Sequence, residues 1–251
     1  MKAAVRSGDA KELAELMRQD PGFDVNMDRN RFGASLLHYA CYRDSRSAVI
    51  PLLPAHPDID VSVKNEYGQA PFLYACGGSP SCVREMLKDS RVKVNEPDND
   101  GCTPLWSVAA NGQLDVIKWW IASGREMDLG MPGDDATDAF GAAKMYHMTE
   151  VVTLLERFKN DVAKTISEVR VELGLLDELA SEMFAMVVFV SDGLLQIKDT
   201  PPSPAARYFS IASQLPLELQ MVLCFRQVGS DNEIIHGKDS EVAFKTLARR
   251  L

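Results

Sequence analysis

The sequence predicts an all-α protein: a solenoid of short stacked helix pairs, with a small helical module after it. Three observations carry this expectation. Turn glycines recur at Gly33, Gly68 and Gly101, spaced by 35 and 33 residues. A valine followed by a small polar residue recurs in the same register, at Val25-Asn26, Val61-Ser62 and Val94-Asn95. Past Asn160 that period ends, and apolar residues step by four and three along one stripe instead. A period near 33 residues marks a unit whose two helices are too short to be stable alone, so it buries its apolar face against copies of itself.

Taken in order, the first repeat is reduced. Val5, Leu13, Leu16 and Met17 face inward at helical spacing, while Lys2, Arg6, Lys11, Glu12 and Glu15 keep an outer face wet. Asp20-Pro21-Gly22 ends it. The second repeat opens at Gly33-Ala34-Ser35-Leu36-Leu37-His38, and Pro51 is expected to kink or shorten its second helix. Pro54 and Pro57 lengthen the connection that follows. The third opens at Gly68-Gln69-Ala70-Pro71-Phe72 and loosens at Gly77-Gly78. The fourth is the clearest. Asp98 to Gly101 is a tight turn, Thr103 caps a helix that Pro104 begins, and Gly112 reverses the chain. A second helix follows, with Leu114, Val116, Ile117 and Ile121 on its apolar side. One of the adjacent Trp119 and Trp120 must be core. A decayed fifth repeat follows, with Thr137 lying 34 residues after Thr103 and Asp138 where the others carry proline.

Turn, helix, turn, helix with the opening Thr103-Pro104-Leu105, echoed at Ala70-Pro71-Phe72 and Ser35-Leu36-Leu37-His38, resembles the ankyrin repeat. The resemblance covers roughly Met1 to Asn160 and implies about five repeats with short hairpin loops, the first and last degenerate. It places His38 at the family's histidine position, where the ring ties adjacent repeats through backbone hydrogen bonds, and Trp106 in that position two repeats later. It also places Cys41 and Cys76 where the family carries a buried alanine, so both are expected as small core residues. A metal or redox pairing of Cys76 with Cys82 is the other reading. Finally, it implies protein binding through a concave side built from hairpin tips and the turns after the first helices. Carried over position by position, that side presents Arg31, Phe32, Tyr42 and Arg43 from the second repeat and Glu66, Tyr67 and Gln69 from the third. The fourth offers Asn99, Asp100, Cys102 and Asn111, and the last Lys144 and Met145. Phe32 and Tyr67 stand at tips that are normally polar; they either pack on each other's tips or meet a partner.

From Val162 the residues Val162, Ile166, Val169, Leu173, Leu176, Ala180, Met183, Val187 and Val190 form a stripe of heptad spacing, with Gly174 as a possible division. That helix caps the last repeat, joins a small helical domain, or zips with another chain. Met183–Val190 is apolar all round and calls for burial on several sides. Ser191-Asp192-Gly193 breaks the pattern, and Asp199 to Pro204 reads as a linker. Ser203-Pro204 opens a helix through Arg207, Phe209, Ile211 and Leu215. Pro216 opens another, with Leu219, Val222, Leu223 and Phe225 as its stripe, and Gly229 stops it. Asp239 or Ser240 caps a last helix, Glu241 to Leu251, with Val242, Phe244, Leu247 and Leu251 inward. The expected division is therefore residues 1–160 and 161–251. Leu215-Pro216-Leu217-Glu218-Leu219 resembles the start of an F-box, which implies recruitment of ubiquitin-ligase machinery; an ordinary proline-started helix gives the same five residues. A further alternative has the apolar tail folded over the concave side, with Tyr208 and Phe225 taken into it.

Composition narrows the function. A formal net charge of −9 argues against nucleic acid, since phosphate binding needs concentrated Lys and Arg. The longest strongly apolar run, Met183–Val190, is too short to span a bilayer, and the N-terminus lacks a signal-peptide core. Five cysteines without a CxxC pair suit a reducing compartment, cytoplasmic or nuclear. No GxSxG, P-loop, HExxH or GxGxxG is present, and His38, His56, His147 and His236 are scattered. The expectation is a monomeric, non-enzymatic scaffold without cofactor or metal that binds another protein through the concave side. The alternatives are an adaptor acting through its helical tail, and an enzyme housed in that tail.

Overall fold

The computed structural model describes residues 1–20, 22–26, 29–56, 58–196, 203–230, 232, 234–235 and 237–248, without the side chain of residue 238. These residues form helices and turns and no strand. The chain divides into two compact units, Met1–Ile166 and Ser167–Leu251.

The first unit is a row of helix pairs. α1 (Lys2–Ser7) and α2 (Ala10–Gln19) make the first, and α3 (Leu36–Cys41) and a 3₁₀-helix (Asp44–Val49) the second. α4 (Pro71–Cys76) with α5 (Pro80–Leu87), α6 (Pro104–Ala110) with α7 (Leu114–Ser123), and α8 (Ala139–Met145) with α9 (Thr149–Asn160) complete it. First helices stack on first helices and second on second, so two layers run the length of the unit. Between them lies a core that includes Leu13, Leu36, Leu37, Phe72, Met86, Leu105, Ile117 and Ile121, all essentially sealed from solvent. Trp120 is the buried member of its pair, edge-on to Phe72 at 5.1 Å, while Trp119 stays half-buried under the Arg84 guanidinium at 4.7 Å.

Local rules explain the element ends. Thr103 Oγ1 accepts from the Trp106 amide and Pro104 occupies the first turn of α6. Asp138 replaces the opening proline effectively, because its carboxylate accepts from Gly141 and caps α8. Pro51 acts as expected: the second helix of its repeat is a short 3₁₀ segment that ends at Val49. Pro57, like Pro21, lies outside the described residues.

Each hairpin is shaped by one side chain. Asn30, Asn65 and Asp98 each accept, through Oδ1, the amides two and four residues on, at 2.8–3.0 Å. The tips are then tied to one another. Glu66 N donates to the Phe32 carbonyl and Asn99 N to the Tyr67 carbonyl, both at 3.0 Å, and Thr103 N donates to Ala136 O at 3.2 Å. Gly68 sits between two such ties at φ +75°; a Cβ there would stand 2.7 Å from the Asn99 amide nitrogen.

In the second unit the expected long helix is two. α10 (Val162–Glu172) runs across the unit boundary, and α11 (Leu176–Ser191) follows a turn in which Gly174 takes φ +67°. α12 (Pro204–Ala212), α13 (Leu217–Val228) and α14 (Gly237–Ala248) pack on α11. Their core gathers Ala180, Phe184, Val187, Ala212, Cys224, Phe225 and Ile235. The heptad reading of this region holds only in part, since Ala180 and Val187 are buried there while Val162 is exposed. Other expectations are corrected. α13 turns Gln220, Cys224 and Phe225 inward and leaves Leu219 exposed. Val242, expected inward, is exposed. α14 begins at Gly237 rather than Glu241, and the Ser240 hydroxyl donates back to the Gly237 carbonyl instead of capping. Phe225 belongs to this unit's own core and Tyr208 packs against it, its hydroxyl meeting Cys224 Sγ at 3.5 Å. Residues 199–202 of the expected linker, His236 and Leu251 lie outside the described residues.

Candidate functional site

The fold brings an aromatic surface together on the hairpin-tip side of the second and third repeats. The tie between Glu66 N and Phe32 O sets adjacent tips side by side, which leaves the Phe32 and Tyr67 rings 6.0 Å apart. The Arg31 guanidinium lies over Phe32 at 4.6 Å. Lower on the same repeats, Tyr42 and Tyr74 are 6.3 Å apart, and His38 meets Tyr74 edge-on at 5.0 Å. Tyr74 is held from the other side, its hydroxyl accepting from Asn65 Nδ2 at 3.1 Å. Packing has not removed these rings from water: Tyr42 is 61% exposed and Tyr67 54%. Tyr74 lies outside the positions that the repeat pattern singles out. Its signal is an aromatic in the middle of PFLYAC, on a helix whose other large residues, Phe72 and Leu73, are buried.

His38 is a structural tie. The Ser35 amide donates to Nδ1 at 3.1 Å, so the ring proton sits on Nε2 and is donated to the Gln69 carbonyl at 2.9 Å. Burial lowers its pKa below 6.5, the nearby Arg29 lowers it further, and the Gln69 carbonyl only partly opposes them. The ring is thus a neutral clasp between two repeats.

The remaining candidate positions fall into two kinds. Gln69, Asn99 and Asn111 direct polar groups into the chain: Gln69 Oε1 accepts from Asn65, Asn99 Nδ2 donates to Glu66 O, and Asn111 Nδ2 donates to Ser107 O. Arg43, Glu66, Asp100, Lys144 and Met145 are exposed, with Lys144 over the Phe140 ring at 5.7 Å. Met131 and Tyr146, outside the candidate set, are exposed on the last repeat as well. Cys102 is half-buried, and burial with the neighbouring Asp98 and Asp100 carboxylates raises its thiol pKa.

The cysteines read as core. Cys41, Cys76, Cys82 and Cys224 are buried free thiols, and burial drives the Cys76 pKa far up and that of Cys82 to about 12. Cys82 donates to the Arg43 carbonyl at 3.4 Å. Among the described residues no three His, Cys, Asp or Glu side chains are placed to hold a metal, and no helix is long and apolar enough to cross a membrane.

Comparison with known proteins agrees with the repeat architecture. A curated relative, SMC5-SMC6 complex localization factor protein 1 of Bos taurus, is 27% identical over 153 residues, which is 58% of this chain and 14% of the relative. The Homo sapiens protein of that name matches at the same identity and coverage. Transient receptor potential cation channel subfamily A member 1 of Homo sapiens is 30% identical over 112 residues, 44% of this chain and 10% of that one. The chain thus spans only a small part of these relatives. The sequence profile described as "Ankyrin repeats (3 copies)" matches residues 1–96 and again 37–130. With half of its length matched by that profile and its helix pairs stacked as described, the chain belongs to the ankyrin-repeat family.

Proposed function

We propose that this chain is a non-enzymatic scaffold whose repeat domain, residues 1–160, binds a partner protein through its tip side, the side that is concave in ankyrin solenoids. Ankyrin repeats imply a protein–protein interaction role; the choice of surface rests on one observation. Two tyrosines and a phenylalanine stand on adjacent tips and turns, ordered by intrachain contacts, with Tyr42 and Tyr67 exposed and Phe32 half-buried. Aromatic and arginine side chains are favoured hot-spot types, and a surface fixed before binding loses little entropy on association. The candidate contacts are Arg31, Phe32, Tyr42, Arg43, Glu66, Tyr67, Asp100, Lys144 and Met145, with Gln69, Asn99 and Asn111 shaping the tips between them. The chain acts as a monomer in the cytoplasm or nucleus, without cofactor or metal. One relative's name, a localization factor, is in keeping with a chain that brings one protein to another. The test is affinity purification with mass spectrometry on the full-length chain and its Phe32→Ala/Tyr67→Ala variant. Specific partners lost by the variant, with unchanged circular dichroism, support the reading; partners retained in full refute it.

A second reading is favoured by one feature of the helical domain, residues 161–251. In the F-box-like stretch Leu215–Leu219, Leu217 and Leu219 are 53% and 52% exposed at the start of α13. Two leucines presented this way suit an adaptor helix that docks on ubiquitin-ligase machinery. Co-purification of a Skp-like protein, lost on Leu217→Glu, supports it, and its absence rules it out.

A further inference from the structure

The tip side also carries a charge order, basic at the second repeat and acidic from Glu66 at the third tip onward, with Lys144 on the last repeat as an exposed cation among the acidic tips. On the second repeat, Arg31 and Arg43 are exposed beside Phe32 and Tyr42. Their acidic neighbour Asp44 is already engaged, accepting from Ser81 N at 2.7 Å and from its hydroxyl at 2.9 Å. Two repeats on, Asp100 is exposed at the fourth tip, and Asp135 at the fifth. These two tips adjoin: Thr103 N donates to Ala136 O at 3.2 Å, and a Cβ on Gly101 would stand 3.6 Å from that of Ala136. The aromatic surface lies on the basic side of this span.

We propose that the occupant of this surface is an extended peptide segment, acidic at one end, apolar next to it and basic at the other. The acidic end pairs with Arg31 and Arg43, an apolar side chain lies on the exposed Tyr42 and Tyr67 rings, and the basic end lies against Asp100 and Asp135. This deepens the tip-side reading and rests on it. Arginine suits carboxylates because its fork donates in a fixed plane. The span is two to three repeats, about 16–30 Å at roughly 8–10 Å per packed helix layer. An extended chain rising about 3.3 Å per residue crosses that in about five to nine residues, which sets the spacing between its acidic and basic groups. With a Debye length of about 8 Å at physiological salt, each end is sensed separately. The charges therefore set orientation and association rate more than total affinity.

The test is selection of random peptides of about 16 residues, ample for that span, displayed on phage against the full-length chain at low salt. The expected binders carry an acidic cluster and a basic cluster about five to nine residues apart, with an aromatic or aliphatic residue nearer the acidic one. Their synthetic consensus peptide is expected to bind Arg31→Glu/Arg43→Glu and Asp100→Lys/Asp135→Lys each about ten-fold more weakly. Reversing the sign of the matching peptide end is expected to restore each variant. Binders lost on Phe32→Ala/Tyr67→Ala but without charge order overturn the proposal and leave the tip-side reading standing. Binders indifferent to that aromatic variant overturn both. If no peptide is enriched, the extended occupant is wrong and a folded partner remains.

Discussion

Removing the His38 ring is expected to loosen the joint between the second and third repeats by about 4 kcal/mol. The His38→Ala change leaves the buried Ser35 amide, which donates to Nδ1, without that acceptor, at a cost of about 1–3 kcal/mol. The Gln69 carbonyl suffers less, because the Asn65 amide still donates to it at 3.0 Å; losing the imidazole bond there costs about 0.5–1.5 kcal/mol. The edge contact with Tyr74 adds about 0.5–1.5 kcal/mol. Urea unfolding followed by far-UV circular dichroism measures the sum, and a domain of this size should melt roughly 8–16 °C lower. The same residue makes a pH prediction. Burial disfavours the protonated ring and holds the folded pKa below 6.5, and a second ring proton would also face the Ser35 amide, a donor against a donor. The unfolded chain therefore binds the proton first. The stabilisation is complete above the unfolded value of 6.5 and is lost as pH falls through it towards the folded pKa. Between pH 7 and 5.5 the loss is at most about 1.3 kcal/mol for one such group. His38→Gln should abolish this part of the slope. A penalty for His38→Ala below about 1 kcal/mol, or an unchanged slope in His38→Gln, refutes the clasp.

Three further outcomes are expected. Gly68→Ala should destabilise by at least about 2 kcal/mol in urea titration, because left-handed backbone costs an L-residue about 1–2 kcal/mol and the new methyl meets the Asn99 amide. Arg125→Ala should cost about 2–3 kcal/mol by the same assay, since its guanidinium donates to the carbonyls of Leu87, Asp89 and Val92. In native maleimide labelling at pH 8, Cys102 should react first and slowly, and the four buried thiols only after denaturant is added, as read by intact mass.

The solenoid was legible because its signals are local and repeated. The Asn30, Asn65 and Asp98 turns, the Thr103 cap and the Pro51 break each follow from one residue's geometry, and the period multiplies them. The second unit has no period, so each helix had to be read from its own apolar pattern. On α13 that pattern pointed to Leu219, while the fold buries Gln220 beside Cys224 and Phe225 and bonds its amide to the Leu215 carbonyl at 2.8 Å. A polar residue with a backbone partner can occupy a core position that hydrophobicity assigns to a leucine. The start of α14 was misplaced for a related reason: Ser240 looks like a cap, but inside a first turn its hydroxyl can donate back along the helix. On the tip side the pattern marked which residues lie at tips and turns. It could not mark Tyr74, whose role arises from the Asn65 amide and the His38 ring closing on it in three dimensions.

The side of the solenoid away from the tips supplies the complementary argument. Where the second helices end, polar groups join neighbouring repeats. Asn26 bridges Asp58 O and Asp60 N, and Asn95 bridges Glu126 O and Asp128 N, so the valine–asparagine marker of the sequence is a brace. Arg91 donates to Pro54 O and Arg125 to Asp89 O, each reaching back one repeat to carbonyls near the preceding connection. A partner docking there would have to compete with bonds that hold the stack together, each worth about 0.5–1.5 kcal/mol. At the tips most ties run through backbone amides and carbonyls, Asn99 Nδ2 to Glu66 O being a side-chain exception, and the side chains of Arg31, Tyr42 and Tyr67 stay exposed. One side is thus braced by the repeats themselves, while the other carries ordered aromatic surface. That asymmetry is in keeping with the proposal that a partner binds at the tips.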